Sequence, residues 1–374
     1  MRKEAGRPMG SVARLGGPIH LGMDVAMDSI AVGILPWGQD RPVVDRIAPD
    51  EVSVRRLVAR LGNPGRLEAC YEAGPTGYGL HRLLTSIGVS CEVVAPALIP
   101  RRAGDRVKTD KRDAARLARL LRAGELTPIR VPSMAEEAVR DLCRARADLV
   151  DDRRRTRQRL KAFLLRHGRI WRDGSSWTRD HRRWLAAQSF GHPALDVTYA
   201  QYRAVLAARD AELAAVEAEL MPWCAREPFT AAVCQLASYR GIADLSALTL
   251  GTEVVDWRRF ATAEAFMGFT GLVPSEYSSG EATRRGRITK AGNRAVRTML
   301  VEAAHAYRHH PAIGATLARR QTRASAGTLA RSWAAQQRLC GRYRRMSARH
   351  KPTGVVITAI ARELAGFTWA EMTA

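Results

Sequence analysis

The chain has 374 residues, enough for two or three domains that each bury a core, and its 46% hydrophobic content argues against wholesale disorder. Charge is the unusual quantity: 60 Lys and Arg against 37 Asp and Glu leave a formal +23, which calls for a polyanionic partner, nucleic acid before acidic membrane. The cysteines at 70, 91, 143, 224, 234 and 340 form no C-x-x-C pair and no apolar run reaches a membrane-spanning length. Zinc modules, disulfide frameworks and membrane partners are therefore not expected, and a cytoplasmic, nucleoid-associated protein is.

Residues 1–18, rich in Arg, Gly and Pro, read as a flexible tail. His20 to Leu35 reads as an apolar strand, a tight polar reversal and a second apolar strand, with Asp24 set inside the first. A carboxylate there is costly unless it is paired, binds a cation or hydrogen-bonds the turn. Arg41–Ile47 suits an edge strand, where Pro42 is tolerable. Val54, Leu57, Val58 and Leu61 have helical spacing, and Arg66–Ala73 reads as a strand carrying Glu72 near its end. The Gly74–Gly77 turn opens a helix over Tyr78–Ile87, Val89–Pro96 forms a further strand, and Thr109–Ala123 a helix stopped by Gly124. This α/β order of three strands, helix, strand, helix, strand, helix is that of ribonuclease H-like domains.

From Ser133 to about Gly168 the pattern becomes a long 3-4 repeat, interrupted by Arg146 and Arg153. A second repeat runs from Tyr199 to Leu220 and breaks at Arg209. Together they predict an antiparallel helical hairpin with coiled-coil tendency, either an internal bundle or a dimer stalk. The intervening 169–192, rich in Trp, Arg, Gly and His, reads as loop. Leu236–Glu253 places Arg240-Gly241-Ile242-Ala243 between two helices, a weak match to phosphate-holding helical hairpins. Asn293 is a candidate N-cap for the next helix, and the chain closes with an apolar helix over Val355–Leu364 followed by Phe367–Trp369. Residues 284–351 hold seventeen Lys and Arg against the single acid Glu302, a block that phosphates would neutralise. His305, His309 and His310 lie near one helix end, at a spacing that suits a helix cap or nucleic-acid contact better than a metal.

Four acids carry the chemistry. Asp24 and Glu72 lie on strands, and Asp110 and Asp113 are three apart on one helix, so they share a face. Taken singly, Asp110 could be a cap and Asp113 a partner of Arg112 or Arg116. Converged at a sheet edge, the four repel each other and suit Mg²⁺ or Mn²⁺. Two such ions about 3.5–4 Å apart activate an attacking oxygen and stabilise the leaving one in phosphodiester transfer.

Segments beginning at Leu21 (L-G-M-D-V-A), Tyr71 (Y-E-A-G-P-T-G-Y-G-L), Lys108 (K-T-D-K-R-D-A-A-R-L-A-R-L-L) and Gly271 (G-L-V-P-S-x-x-x-S-G-x-x-x-R-x-G-x-I-T-K-x-G-N) together resemble the IS-one-ten family of bacterial transposases. These are also called bridge-RNA-guided recombinases and are related to the Piv-type DNA invertases. The resemblance covers about residues 20–370 in order. It implies a RuvC-like domain over 19–132, a coiled-coil linker over 133–226 and a mainly helical C-terminal domain over 227–374. The D-E-D-D quartet falls on Asp24, Glu72, Asp110 and Asp113, and the serine of the S-G motif on Ser279, with Ser278 and Ser275 as competitors.

The resemblance further implies strand exchange through a covalent serine–DNA link. It implies DNA partners at the element ends and target, a noncoding guide RNA, and a homo-oligomer, dimer or tetramer, that joins half-sites from different protomers. Lys108, Arg284, Arg285, Arg287, Lys290, Arg294 and Arg297 are the cations expected to grip nucleic acid. Tyr277 is set aside as a nucleophile, because tyrosine recombinases use an Arg/His pocket and no acid quartet. The alternative is a RuvC-like metal-dependent endonuclease that cuts branched DNA by water attack.

Overall fold

The computed structural model describes residues 16–96, 99, 100, 109–279 and 282–374, the side chains of 277–279 and 282–285 excepted. Residues 1–15 of the expected tail, Lys108, and the side chains of Ser278, Ser279, Arg284 and Arg285 thus lie outside the described residues. The chain divides into two compact units, Met1–Val131 and Pro132–Ala374.

The first unit runs β1 (Ile19–Val25), β2 (Ile30–Pro36), β3 (Val43–Ile47), α1 (Glu51–Leu61), β4 (Leu67–Glu72), α2 (Gly79–Ser86), β5 (Ser90–Val94) and α3 (Asp110–Arg122). The sheet order is β3-β2-β1-β4-β5. β1–β2 and β2–β3 are antiparallel, whereas β1–β4 and β4–β5 are parallel. Period-two alternation splits each strand between two faces. Ile19, Leu21, Met23, Leu67, Ala69 and Tyr71 form one core with Val54, Leu57, Val58 and Leu61 of α1. Each large side chain so buried stabilises by about 1.5–3 kcal/mol. On the other face Cys70 and Val94 pack with Leu117 of α3. Asp50 caps α1 by accepting from Ser53 N, and Thr109 caps α3 by accepting from Arg112 N.

The second unit is helical apart from one β-hairpin. It contains α4 (Met134–Arg166), α5 (Arg179–Ala186), α6 (Pro193–Leu220), α7 (Thr230–Leu236), α8 (Asp244–Val254), α9 (Ala263–Thr270), β6 (Pro274–Ser279), β7 (Ala282–Ile288), α10 (Arg294–Ala304), α11 (Ala315–Gln321), α12 (Ala326–Ala348) and α13 (Thr353–Thr373). A Ser133/Glu136 capping box starts α4. Arg146 bonds Glu217 at 2.6 Å and Arg153 approaches Asp210 at 3.7 Å. As one partner's number rises the other's falls, so α4 and α6 are antiparallel. The arginines that interrupt the apolar repeat are therefore cross-helix ion pairs in the seam.

Two expectations need correcting, and one element is new. Residues 169–192 are not all loop: Thr178 caps α5, and His181 and Leu185 are buried under it. Around it lies an aromatic cluster of Phe163, Phe190, Tyr199 and Tyr202. The closing helix does not stop at Leu364 but runs unbroken to Thr373. At Gly366 a Cβ would lie 2.6 Å from Met267 Cε, so this glycine gives α9 room to pack. The segment after Gly271, for which no element is evident from the sequence, forms the β6–β7 hairpin.

The base of α4 joins the main core of this unit, where Val139 and Cys143 pack with α7, α8, α10, α12 and α13. Among the described residues no helix is long and apolar enough to cross a membrane.

Candidate active site

The sheet register places the first two acids. Asp24 pairs with Ala31, which pairs with Arg46 on the far side, so the three residues form a row across β1, β2 and β3. β1 and β4 are in register through Met23 and Tyr71. Asp24 and Glu72 are the next residues on these neighbouring parallel strands and stand side by side at their carboxyl ends.

The face they share is the one covered by α3. Two residues before Asp24, a Cβ on Gly22 would lie 2.3 Å from both Ala114 O and Ala118 N. Two residues before Glu72, Cys70 Sγ donates to Leu117 O at 3.6 Å. Gly33, paired with Gly22, meets Ala114 O in the same way at 2.5 Å. Alternation then puts Asp24 and Glu72 on this face too.

The direction of α3 places the other two acids. Its last turn reaches back past the opposite end of β2, where Arg122 donates to Gln39 O and approaches Asp40 at 3.7 Å. Its first turn, with Asp110 and Asp113, therefore lies at the end marked by Asp24 and Glu72. Arg46 Nη2 donates to Asp110 Oδ2 at 2.9 Å and pins this turn to the row containing Asp24. Thr109, not Asp110, is the helix cap. Asp113 Oδ2 is buried with no hydrogen-bond partner among the described residues, an arrangement that costs free energy unless a cation or donor meets it.

The donors are hard carboxylate oxygens, the class that Mg²⁺ and Mn²⁺ prefer, and the orphaned Asp113 oxygen fits such an ion. Among the described residues, no three His, Cys, Asp or Glu side chains stand close enough to hold one as they are. That statement also covers His305, His309 and His310, of which His305 is the C-cap residue of α10. Like-charged carboxylates separate unless a cation bridges them, and here Asp110 turns to Arg46.

The serine-bearing segment is the hairpin of the second unit. Ser279 pairs with Ala282 at the last rung of the β6–β7 ladder. Ser275 Oγ donates to Arg287 O at 3.2 Å, so that hydroxyl is engaged across the hairpin. The base of the hairpin is clamped to the end of α9 and the residues just after it: Asn293 N donates to Phe269 O, Lys290 N to Gly271 O and Thr289 N to Val273 O. Gly292, at φ 113, approaches so closely that a Cβ would lie 2.1 Å from Phe269 O. Arg297 donates to Thr270 O at 3.0 Å and Lys290 O at 3.2 Å, and burial followed by the charge of Arg294 holds its pKa below the ordinary value.

Asn293 caps α10, as its sequence position predicts, by accepting from Val296 N. It also donates to Glu253 at 2.7 Å, a buried carboxylate that Arg144 of α4 binds through two nitrogens. Arg287, Lys290 and Arg294 are exposed.

Comparison with known proteins agrees with these two segments. A model described as the transposase IS116/IS110/IS902 family matches residues 234–318, and a DEDD transposase model of IS110 type matches residues 21–168. A putative transposase, y4qE, of Sinorhizobium fredii is 46% identical over 354 residues, 94% of this chain and 87% of that protein. The transposase for insertion sequence element IS1533 of Leptospira borgpetersenii is 35% identical over 244 residues, 64% of this chain and 70% of that one. The chain belongs to the IS110/IS116/IS902 family of transposases.

The DEDD match begins within β1 and runs on through the sheet unit and α4, and so takes in all four carboxylates. The other match runs from α7 into α11 and contains the β6–β7 hairpin. In this transposase the sequence reading missed three residues that position the acids: Arg46, Gly22 and Gly33. The two glycines mark the groove in which α3 lies, a signal visible only once they are paired across β1 and β2. Arg297, expected to hold nucleic acid, is used on backbone carbonyls at the hairpin base.

Proposed function

We propose that this transposase cuts and rejoins DNA at Asp24, Glu72, Asp110 and Asp113 with Ser279 as the nucleophile. The observation that carries the reading is the side-by-side placement of Asp24 and Glu72 beneath the first turn of α3. The strand order, three antiparallel strands followed by parallel β4 and β5, supports a RuvC-like reading of this domain. The four carboxylates would hold Mg²⁺ or Mn²⁺, which on binding supplies Lewis-acid stabilisation of the phosphoryl oxygens and of the attacking and leaving oxygens.

Ser279 loses its hydroxyl proton to a carboxylate and its Oγ bonds to phosphorus. The scissile P–O bond breaks, and the departing strand's oxygen leaves as an alkoxide that takes up one proton to become a hydroxyl. The phosphodiester is kept as a serine–DNA link, so an attacking strand hydroxyl can reverse the step and rejoin DNA without ATP. A serine hydroxyl is a weak nucleophile unaided, and the carboxylate corner provides what the hairpin sequence lacks. Arg284, Arg285, Arg287, Lys290 and Arg294, with Lys108 beside the first turn of α3 in sequence, would bind the DNA phosphates.

The family resemblance further supports a noncoding guide RNA that selects donor and target DNA. It also supports a dimer or tetramer in which Ser279 of one protomer serves the carboxylates of another. The reading is tested with Asp24→Asn and Glu72→Gln in a plasmid carrying the element with its native flanks. Excision and insertion are expected to fall at least about 100-fold, with binding of the flanking DNA unchanged. Full mobility in either variant overturns it.

A further inference from the structure

The end of the α4–α6 hairpin where α5 lies carries a cation cluster that the reaction above does not use. Its centre is Trp177, held at φ 71, a conformation that a bulky side chain rarely adopts. The Trp177 backbone N–H donates to His181 Nδ1 at 3.0 Å, the Trp177 ring meets the His181 ring edge-on at 5.1 Å, and His181 is buried between Trp171, Trp177 and Trp184. The ring is thereby fixed.

Two clefts meet on Trp177. One, of about 290 Å³, is lined by Arg153, Arg154, Arg157 and Lys161 of α4. The other, of about 680 Å³, is lined by Arg182 and Arg183 of α5 among others. The Arg157 guanidinium lies 4.7 Å and the Lys161 ammonium 5.9 Å from the Trp177 ring centroid, close enough for the ring to hold both in place.

The acids nearby do not neutralise this cluster. Asp210 of α6 faces Arg153, Arg157 and Arg182 at 3.7, 3.5 and 3.7 Å, one carboxylate among three guanidiniums. Asp151 approaches Arg154 and Asp180 approaches Arg183, both at 3.4 Å, in exposed pairs on single helices. Such pairs contribute little. Arg157 Nε is buried without a hydrogen-bond partner among the described residues. Burial, with the charges of Arg153 and Arg182, holds the Arg157 pKa below its ordinary value. Fixed cations that repel one another, with an unused donor, are relieved by phosphates. A second copy of a chain of net charge +23 would add cations, so charge complementarity favours a polyanion.

We propose that this surface around Trp177 is a docking site for the phosphodiester backbone of nucleic acid, additional to the cations of the β6–β7 hairpin. RNA and DNA share this chemistry. The proposal does not depend on the cleavage reading, because binding is measured here without divalent metal. The full chain and the Arg154→Gln/Lys161→Gln/Arg183→Gln variant, altered only at exposed residues, are titrated by fluorescence anisotropy. The probes are 40-mers of single-stranded RNA, single-stranded DNA and duplex DNA over a range of NaCl concentrations.

For at least one probe, the slope of log affinity against log salt should fall by about 2–3, at about 0.7–0.9 per lost phosphate contact. The affected probe identifies the nucleic acid bound. A control with Arg55→Gln/Arg56→Gln/Arg60→Gln on α1 should change the slope by less than about 1. Unchanged slopes for all three probes overturn the proposal, and so does an equal fall in the control. If the triple variant melts early, each single substitution is read in the same way, with an expected change of about 0.7–0.9.

Discussion

Replacing Gly22 with alanine should both destabilise the sheet domain and impair catalysis, although Gly22 touches no substrate. The added Cβ would lie 2.3 Å from Ala114 O and from Ala118 N, and 2.8 Å from Leu117 C. All three are backbone atoms of a helix, so no side chain can swing aside. Restoring ordinary contact requires α3 to retreat by about 1 Å, and overpacking of this kind costs about 1–3 kcal/mol. The same retreat carries Asp110 and Asp113 away from Asp24 and Glu72. A misplacement of about 1 Å at a reacting centre costs on the order of 100-fold in rate.

The assay pairs urea denaturation of the purified protein with cleavage of a plasmid carrying the element. A lower denaturation midpoint is expected, and at a urea-free temperature where the variant is fully folded, a rate loss of about 10- to 100-fold. Unchanged stability together with a rate within about twofold of wild type would refute the argument that the glycine groove seats the acids.

Two further outcomes follow from the same geometry. Arg46→Gln removes the cation that occupies Asp110. The pair is more than half exposed on both sides, so stability should change by less than about 1 kcal/mol. Mn²⁺ binding, followed by electron paramagnetic resonance, should tighten by about two- to fivefold. Weaker binding would mean that Arg46 does not compete for the carboxylate. Asn293→Ala removes both the α10 cap and the donor to buried Glu253, and should lower unfolding free energy by about 2 kcal/mol. Asn293→Asp keeps the cap but sets a carboxylate against Glu253, so it should not restore stability in urea denaturation, and full restoration would show that only the cap matters.

Much of the sheet unit was legible because β1 and β2 are continuous apolar runs, buried along most of β1 and all of β2, and its apolar helix positions, Val54, Leu57, Val58 and Leu61, are all buried as spaced. The α/β expectation for this part and the helical expectation for the rest agree with the structure. α5 was not legible because it has eight residues, only two of them buried, too short for a 3.6-residue period to stand out. Arg146 and Arg153 look like flaws in an apolar repeat until Glu217 and Asp210 arrive from α6, some 60–70 residues on. The quartet itself could be read as four acids on three elements. What the sequence could not disclose is Arg46 on Asp110, since the two are 64 residues apart and meet only through strand pairing.

The proposed attack of Ser279 on a phosphodiester at the carboxylate corner leaves a covalent trace that can be measured. The transposase, the element-bearing plasmid and Mg²⁺ or Mn²⁺ are mixed, quenched in denaturant and digested, and the peptides are analysed by mass spectrometry for a nucleotide attached to serine. An adduct on Ser279 is expected in the wild type and is expected to be absent from Ser279→Ala and from Asp24→Asn. Strand exchange that persists in Ser279→Ala, with no adduct on any serine, would contradict it.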